Sequence, residues 1–171
     1  KKLVAAVISS LVLLATPSFA SVNRMSVESL VRWTGCKAYV ITSNQHSAAR
    51  SYYNPNGVLY IGTADDIPKH LRTIIILHEA AHCLQDQETP GGIYSRVTTE
   101  GRVALELEAD YRAADLACRF GLDGTRLLRE LFEYARDKFG YQGDYYHGSL
   151  AQRISRGEAA LACRVVPLQA P

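Results

Sequence analysis

Hydrophobic and polar positions along this chain repeat with two different periods, one typical of strands and one typical of helices. Residues 38–42 and 58–61 are short runs rich in β-branched and aromatic side chains, which favour strands. The segment Asn54-Pro55-Asn56-Gly57, which is a strong turn signal, precedes the second run. We therefore predict two strands that could form a small antiparallel sheet.

Apolar residues in much of the remaining chain recur every three or four positions, as in a helix with one buried face. Asp65 or Asp66 is the predicted cap of one such helix, with Pro68 in its first turn. Ser149 is the predicted cap of the last helix, which carries Arg153 and Cys163. The predicted helices cover residues 27–34, 65–85, 99–120, 124 onward and 149–163. A small sheet followed by helices predicts an α+β domain.

The first twenty residues have the composition of a signal peptide. Lys1 and Lys2 form a basic start, residues 3–15 are apolar, and residues 18–20 supply the small side chains of a cleavage site. The apolar run is shorter than the roughly 20 residues that a membrane-spanning helix needs. We expect residues 1–20 to be removed on export, which leaves residues 21–171 as a single periplasmic or secreted domain without stable membrane insertion. An uncleaved membrane anchor is the alternative.

Charge and cysteine content narrow the class of protein further. The formal net charge is +2 at pH 7, and Lys1 and Lys2 carry that excess, so no nucleic-acid partner is expected. An even number of cysteines in an exported chain favours disulfides, and more than one pairing is possible. We favour the pairs Cys36–Cys83 and Cys118–Cys163. A thiolate metal site is the alternative, but the chain contains no CxxC spacing.

The segment His78-Glu79-Ala80-Ala81-His82 is the strongest indication of chemistry in the chain. Because residues four apart on a helix lie on the same face, His78 and His82 can direct two imidazoles to one point. Neutral imidazoles are ligands that suit Zn²⁺, and Glu79 is close enough in sequence to act on a water at the same ion. The pattern predicts a zinc-dependent hydrolase.

A catalytic zinc site normally has three protein ligands, so a further ligand is required. The HExxHxxGxxH pattern does not supply it, because Glu88 stands where the third His would be. The next predicted helix offers Glu100, Glu106 and Glu108. Glu106 shares a helix face with Asp110, so Glu106 can bind metal while Asp110 accepts a hydrogen bond from a ligand imidazole. We therefore predict His78, His82 and Glu106 as ligands of one zinc ion per chain.

The sequences HEAAH and ELEAD together resemble the gluzincin metallopeptidases, whose pattern is HExxH followed downstream by ExxxD. The Ala-Asp ending is similar to the M48 type, the family of Ste24-like and HtpX-like proteases. Residues 147–154 are similar to that family's HPxxxxRI segment, with Gly148 in place of its Pro. The resemblance covers roughly residues 58–154. It implies a zincin-like fold, zinc held by His78, His82 and Glu106, and Glu79 as the catalytic base. The chain departs from the family in its brevity, its four cysteines and its lack of transmembrane helices.

These residues predict a metalloprotease that hydrolyses a peptide or protein substrate. The resemblance and the Gly-flanked position of His147 suggest His147 as the donor that stabilises the oxyanion, with Tyr145 and Tyr146 as alternates. Arg153 could orient the predicted Gly/Tyr-rich loop at residues 140–148 or bind substrate, and strand 58–61 could pair with an extended peptide. The alternatives are a zinc-binding protein without catalytic activity, a zinc amidase acting on cell-wall amides, and a disulfide-linked helical domain in which the HExxH pattern occurs by chance.

Overall fold

A computed structural model of the chain describes residues 34–41, 51–54, 57–62, 67–93, 98–161 and 163. The predicted signal peptide, residues 1–20, lies outside these ranges, as does all but the last residue of the predicted helix 27–34. The described part is an α+β domain, as predicted, with four helices and two small sheets.

The larger sheet has three strands, β1 (Lys37–Ile41), β2 (Tyr52–Asn54) and β3 (Val58–Gly62), in the order β1-β3-β2. Strand β2 pairs with β3 in antiparallel orientation, whereas β1 pairs with β3 in parallel. The expected antiparallel pairing of the strands at 38–42 and 58–61 is therefore wrong. The turn signal joins β3 to the short strand β2, and the longer connection from β1 allows the parallel arrangement.

Four helices follow the sheet: α1 (Lys69–Glu88), α2 (Thr99–Arg119), α3 (Gly124–Phe139) and α4 (Leu150–Glu158). Side chains of the preceding residues cap the last three helices, because Thr98, Asp123 and Ser149 each accept a hydrogen bond from an N–H of the first turn. Ser149 and Gln152 bond reciprocally in a capping box. These helix starts agree with those predicted from the sequence.

Two predicted helix boundaries are wrong. Helix α1 does not include Pro68 in its first turn, because Pro68 has an extended backbone with ψ of 134° and the helix begins at Lys69. Helix α4 ends at Glu158 and does not reach Cys163. A tight final turn closes α4, in which the N–H groups of Ala159 and Ala160 donate to Arg156 and Gly157.

A hairpin lies between α3 and α4, in the Gly/Tyr-rich segment that was expected to be a loop. Its strands β4 (Gly143–Asp144) and β5 (Gly148–Ser149) are antiparallel. A side chain at Gly143 would overlap the backbone of Gly148 and Ser149, so this close approach requires glycine. The hairpin fixes the position of Asp144 and His147 beside helix α4.

The hydrophobic core lies where α1 meets the sheet on one side and the other helices on the other. Leu59, Ile74, Leu77 and Leu128 are among its fully buried side chains. The disulfide Cys36–Cys83 joins the start of β1 to α1, and Cys118–Cys163 joins α2 to the segment after α4. The favoured cysteine pairing is thus confirmed. Among the described residues, no helix combines the length and apolar composition needed to cross a membrane.

Candidate metal centre

Helix α1 carries two histidines whose rings meet at one point. His78 and His82 lie one turn apart on the same helix face, and their Nε2 atoms are 3.1 Å apart. Helix α2 packs against α1 and brings Glu106 to this point. Glu106 Oε2 lies 3.1 Å from His78 Nε2, and Glu106 Oε1 lies 3.4 Å from His82 Nε2. The three predicted ligands are therefore adjacent, with ligand atoms all within 4.8 Å of one another.

The spacing of the three side chains fits a tetrahedral zinc site. Zinc binds His nitrogen and carboxylate oxygen at about 2.0–2.1 Å, and two such donors at a tetrahedral angle lie roughly 3.3–3.4 Å apart. The two imidazole nitrogens are 3.1 Å apart, and they lie 3.1 Å from Oε2 and 3.4 Å from Oε1 of Glu106, which are separations close to that value. Two imidazoles and one carboxylate also form a donor set of catalytic zinc sites, which keep a fourth position for water. The residues present therefore fit zinc.

Asp110 lies behind His78, on the side away from the other ligands. Its side chain is fully buried, and its Oδ1 is 2.9 Å from His78 Nδ1. This is a contact by distance, although its angle is not that of an aligned hydrogen bond. Arg153 of α4 donates from Nε and Nη2 to both carboxylate oxygens of Asp110, at 2.7 and 2.8 Å. Helix α4 thereby neutralises the carboxylate that lies next to His78.

Arg153, which bonds to Asp110, is buried, with an exposed fraction of 7%. Besides Asp110, its guanidinium donates from Nη1 to the hydroxyl of Tyr141 at 3.2 Å and lies 4.5 Å from the centre of the Phe132 ring. The sequence suggested that Arg153 could orient the neighbouring loop or bind substrate. The contact with Tyr141 is consistent with the first role, because Tyr141 begins the segment that forms the hairpin.

Glu79 lines the same cavity as the three predicted ligands, but its carboxylate contacts strand β2 and not the ligands. The backbone N–H of Tyr53 in β2 donates to Glu79 Oε2 at 2.8 Å. The Tyr53 hydroxyl donates to Asp86 Oδ2 at 2.6 Å, so the same residue is anchored two turns further along α1. Burial raises the pKa of Glu79 and outweighs the nearby imidazoles and the Tyr53 N–H, which act to lower it. A carboxylate with a raised pKa is suited to accept a proton near neutral pH.

Opposite charges stabilise the cluster in the metal-free protein. Burial by itself would lower the pKa of His78, but the carboxylates of Asp110 and Glu106 outweigh it and raise that pKa to about 10. Burial acts in the other direction on both carboxyl groups, yet contacts with His78 lower the pKa of Glu106 and of Asp110. His78 therefore carries a proton at neutral pH until a metal displaces it.

Gln85 is a site residue that was not predicted from the sequence. Its side-chain oxygen lies 2.9 Å from His82 Nδ1, and its side-chain nitrogen donates to the backbone carbonyl of Leu105 at 2.9 Å. The only sequence signal was a polar residue three positions after His82, on the same helix face. Tyr53 was also not predicted, because its backbone N–H donates to Glu79, which lies 26 positions away in the sequence.

A cavity of about 500 Å³ opens in front of these groups. One part of its lining is polar and contains His78, Glu79, His82 and Glu106. Another part of the lining is apolar and belongs mainly to α3, with Ile75 from α1. It includes Ile75, Leu128, Leu131, Phe132, Ala135 and Phe139. The candidate metal centre thus lies at the edge of a cavity that can hold an apolar group.

The hairpin contributes His147 and Asp144 to the lining of the cavity. His147 Nδ1 lies 2.7 Å from the Asp144 carboxylate, which also accepts the backbone N–H groups of Tyr146 and His147. Tyr145 and Tyr146 have exposed fractions of 70% and 52% and do not line the cavity. Tyr141 does line it, so among the hairpin tyrosines Tyr141 is the better candidate for a role in the site.

Two other expectations can be compared with the structure. Strand β3 is the central strand of its sheet and has neighbours on both sides, so it cannot pair with a peptide as expected for 58–61. The edge next to the cavity is β2, and Tyr52 and Tyr53 of this strand line the cavity. Cys83 follows His82 directly but is bonded to Cys36, so it is not available as a metal ligand.

No protein-family model, curated protein or solved structure matches this chain.

Proposed function

We propose that the chain is an exported zinc-dependent peptidase of the gluzincin type, in which His78, His82 and Glu106 hold the metal. The observation that carries this proposal is the meeting of two imidazoles, one carboxylate and a separate carboxylate, Glu79, at one end of a cavity. A purely structural zinc site would be closed by a fourth protein ligand. Here, among the described residues, the three-residue group faces a cavity large enough for part of a substrate.

The described residues suggest how the chain would act on an amide bond. When bound, zinc would lower the pKa of a water molecule and polarise the substrate carbonyl. Glu79 would accept the proton of the attacking water at its carboxylate and then transfer it to the leaving amine. The hydrogen bond from Tyr53 to Oε2 holds the Glu79 side chain, so that Oε1 is the oxygen left for this proton.

A second donor is needed for the negative charge that develops on the substrate oxygen. His147 and Tyr141 both line the cavity and are the candidates. The Tyr141 hydroxyl accepts from Arg153, which leaves its own proton for donation. His147 already contacts Asp144 through Nδ1, so donation from Nε2 requires its doubly protonated form.

The two disulfides support export, because disulfides persist in oxidising compartments such as the periplasm or the extracellular space. The apolar wall formed by α3 supports a peptide substrate with an apolar side chain near the bond that is cut. Cell-wall amides offer the same bond to the metal centre but fewer apolar side chains for this wall.

Metal analysis and hydrolysis assays of two site variants test the proposal. We expect about one zinc per chain and chelator-sensitive hydrolysis of protein substrates. Glu79→Gln keeps the zinc, while the rate falls by about 10²–10⁴-fold because the general base is lost. Glu106→Ala loses a ligand and so lowers the zinc content. Glu108→Ala is its matched control, because Glu108 contacts Arg112 and Arg156 rather than the site, and it should retain zinc and activity.

Other results of these assays would contradict the proposal or favour one of the alternative functions. Undiminished proteolysis by Glu79→Gln would overturn the mechanism, and absence of zinc from the purified protein would overturn the metal site. Full zinc content without hydrolysis of any amide would favour a zinc-binding protein without catalytic activity. Hydrolysis of cell-wall amides but not of proteins would favour an amidase.

A further inference from the structure

We propose that Gln85 is a positioning residue for the candidate metal centre. Its amide holds His82 as the tautomer with the proton on Nδ1 and connects the His82 ring to the helix that carries Glu106. The effect of Gln85 on zinc binding rests on the proposed zinc site, whereas the tautomer of His82 can be measured in the protein without metal.

The orientation of the Gln85 amide follows from its partner on α2. The backbone carbonyl of Leu105 can only accept a hydrogen bond, so the group 2.9 Å from it must be the NH₂ of Gln85. The reverse orientation would place two oxygen atoms against each other in a buried site and leave the Gln85 oxygen without a donor. Gln85 and His82 have exposed fractions of 4% and 3%, which leaves little access for water to replace these contacts.

The orientation of the amide in turn determines which His82 nitrogen carries the proton. The Gln85 oxygen lies 2.9 Å from His82 Nδ1 and can only accept, so Nδ1 must donate. In the neutral ring, Nε2 then has a lone pair in place of a proton. Nε2 is the atom 3.1 Å from His78 Nε2 and 3.4 Å from Glu106 Oε1. The ring therefore presents a lone pair to the ligand cluster before any metal arrives.

Gln85 also connects the two helices that bear the ligands. Leu105, which accepts from its NH₂, immediately precedes Glu106. One side chain of α1 thus contacts both the second histidine and the backbone next to the third ligand. His78 is held differently, because its partner Asp110 is charged and is neutralised by Arg153. A neutral amide behind His82 adds no further negative charge to the group.

Nitrogen-15 spectra of the metal-free protein, together with zinc-affinity measurements, test this role. Wild type is expected to show His82 with its proton on Nδ1. Gln85→Leu removes the acceptor, so we expect a mixture of His82 tautomers and zinc affinity lower by about 10–100-fold in competition with a chromophoric chelator. Gln85→Glu keeps an acceptor for Nδ1 but cannot donate to Leu105, so it should keep the tautomer while it weakens zinc binding. Gln87→Leu is the matched control, because Gln87 is exposed on the same helix and contacts the Cys36–Cys83 disulfide.

The His82 tautomer and the zinc affinity are two separate tests of the proposal. A wild-type His82 with its proton on Nε2 would overturn the proposal even if no variant folds. An unchanged tautomer and a zinc affinity within about twofold of wild type in Gln85→Leu would overturn it as well, by the same principle. If the wild type binds no zinc, the proposed peptidase fails, while the tautomer measurement still decides the role of Gln85.

Discussion

Arginine and aspartate form ion pairs both in the buried part and on the exposed surface of this chain. Arg153 and Asp110 are buried and bond at two points, beside His78 and Glu106. Arg126 contacts Asp123 at 3.7 Å, and the two side chains are 64% and 42% exposed. Exposed pairs contribute little, because water and salt screen them. Removal of one partner from a buried pair leaves an uncompensated charge, which is costly.

We therefore predict that Arg153→Met destabilises the metal-free protein by about 3–5 kcal/mol. Asp110 would keep a buried negative charge close to Glu106, with only His78 to balance both. Arg126→Met is the matched control and should cost less than about 1 kcal/mol. Urea unfolding of the two variants measures both values. Equal and small losses would mean that Arg153 does not neutralise Asp110 as described.

The site residues that could be predicted from the sequence are those whose partners follow helical spacing. His78 and His82 are four apart, as are Glu106 and Asp110, and each pair lies on one face as expected. The contacts that Gln85, Tyr53 and Arg153 make with residues of other elements could not be predicted. Arg153 reaches Asp110 across 43 positions, a separation for which a single sequence contains no signal.

At the level of elements, two glycines mark where helices approach most closely. A methyl group added to Gly124, at the start of α3, would overlap the backbone carbonyl of Ala114 in α2. A methyl group on Gly157 of α4 would overlap the side-chain end of Leu128. Leu128 lines the cavity, so its side chain has adjacent space into which it can move. The backbone of α2 has no such freedom.

We predict that Gly124→Ala lowers the free energy of unfolding by about 1–3 kcal/mol or more, because α2 and α3 must separate. Gly157→Ala makes the same chemical change in a helix and should cost clearly less. Thermal and urea unfolding of both variants give the comparison. A larger loss for Gly157→Ala would contradict the view that a side chain yields more easily than a backbone.

The elements themselves were largely predictable, whereas their arrangement was not. Thr98, Asp123 and Ser149 cap the helices that follow them, and this capping depends only on residues that are close in sequence. The parallel pairing of β1 with β3 depends on how the chain crosses between them, and β2 is only three residues long. The strand order therefore could not be derived from the sequences of the strands alone.

For the molecule as a whole, α1 is the element that joins the sheet, the other helices and the candidate site. It packs against β2 and β3, against α2 and against α3, and it carries Cys83 of one disulfide. Metal bound by α1 and α2 would therefore stabilise the entire domain by mass action, because the unfolded chain does not hold the ligands together. Stability of the whole chain then reports on zinc binding.

As the pH rises, we expect the stabilisation by zinc to increase and the stabilisation by the protonated His78 ring to decrease. In the metal-free protein the pKa of His78 is raised to about 10 from 6.5. The protonated ring therefore contributes stability that is fully present below about pH 6.5 and is lost as the pH rises towards 10. Zinc must displace this proton, so its affinity rises with pH in the same range, by about tenfold per pH unit from this group.

We therefore predict that the stabilisation by a fixed excess of zinc grows between about pH 6.5 and 8, by roughly 1.4 kcal/mol per pH unit. For a domain of this size, that increment raises the Tm by roughly 3–6 °C per pH unit. Melting curves with zinc and with chelator at each pH measure it. His70→Gln is the matched control for His78→Gln, because His70 is exposed and contacts Glu130 instead of the site. The control should keep the pH-dependent increment, and His78→Gln should lose it. A zinc increment that is constant or decreases with pH would mean that His78 does not give up a proton to the metal.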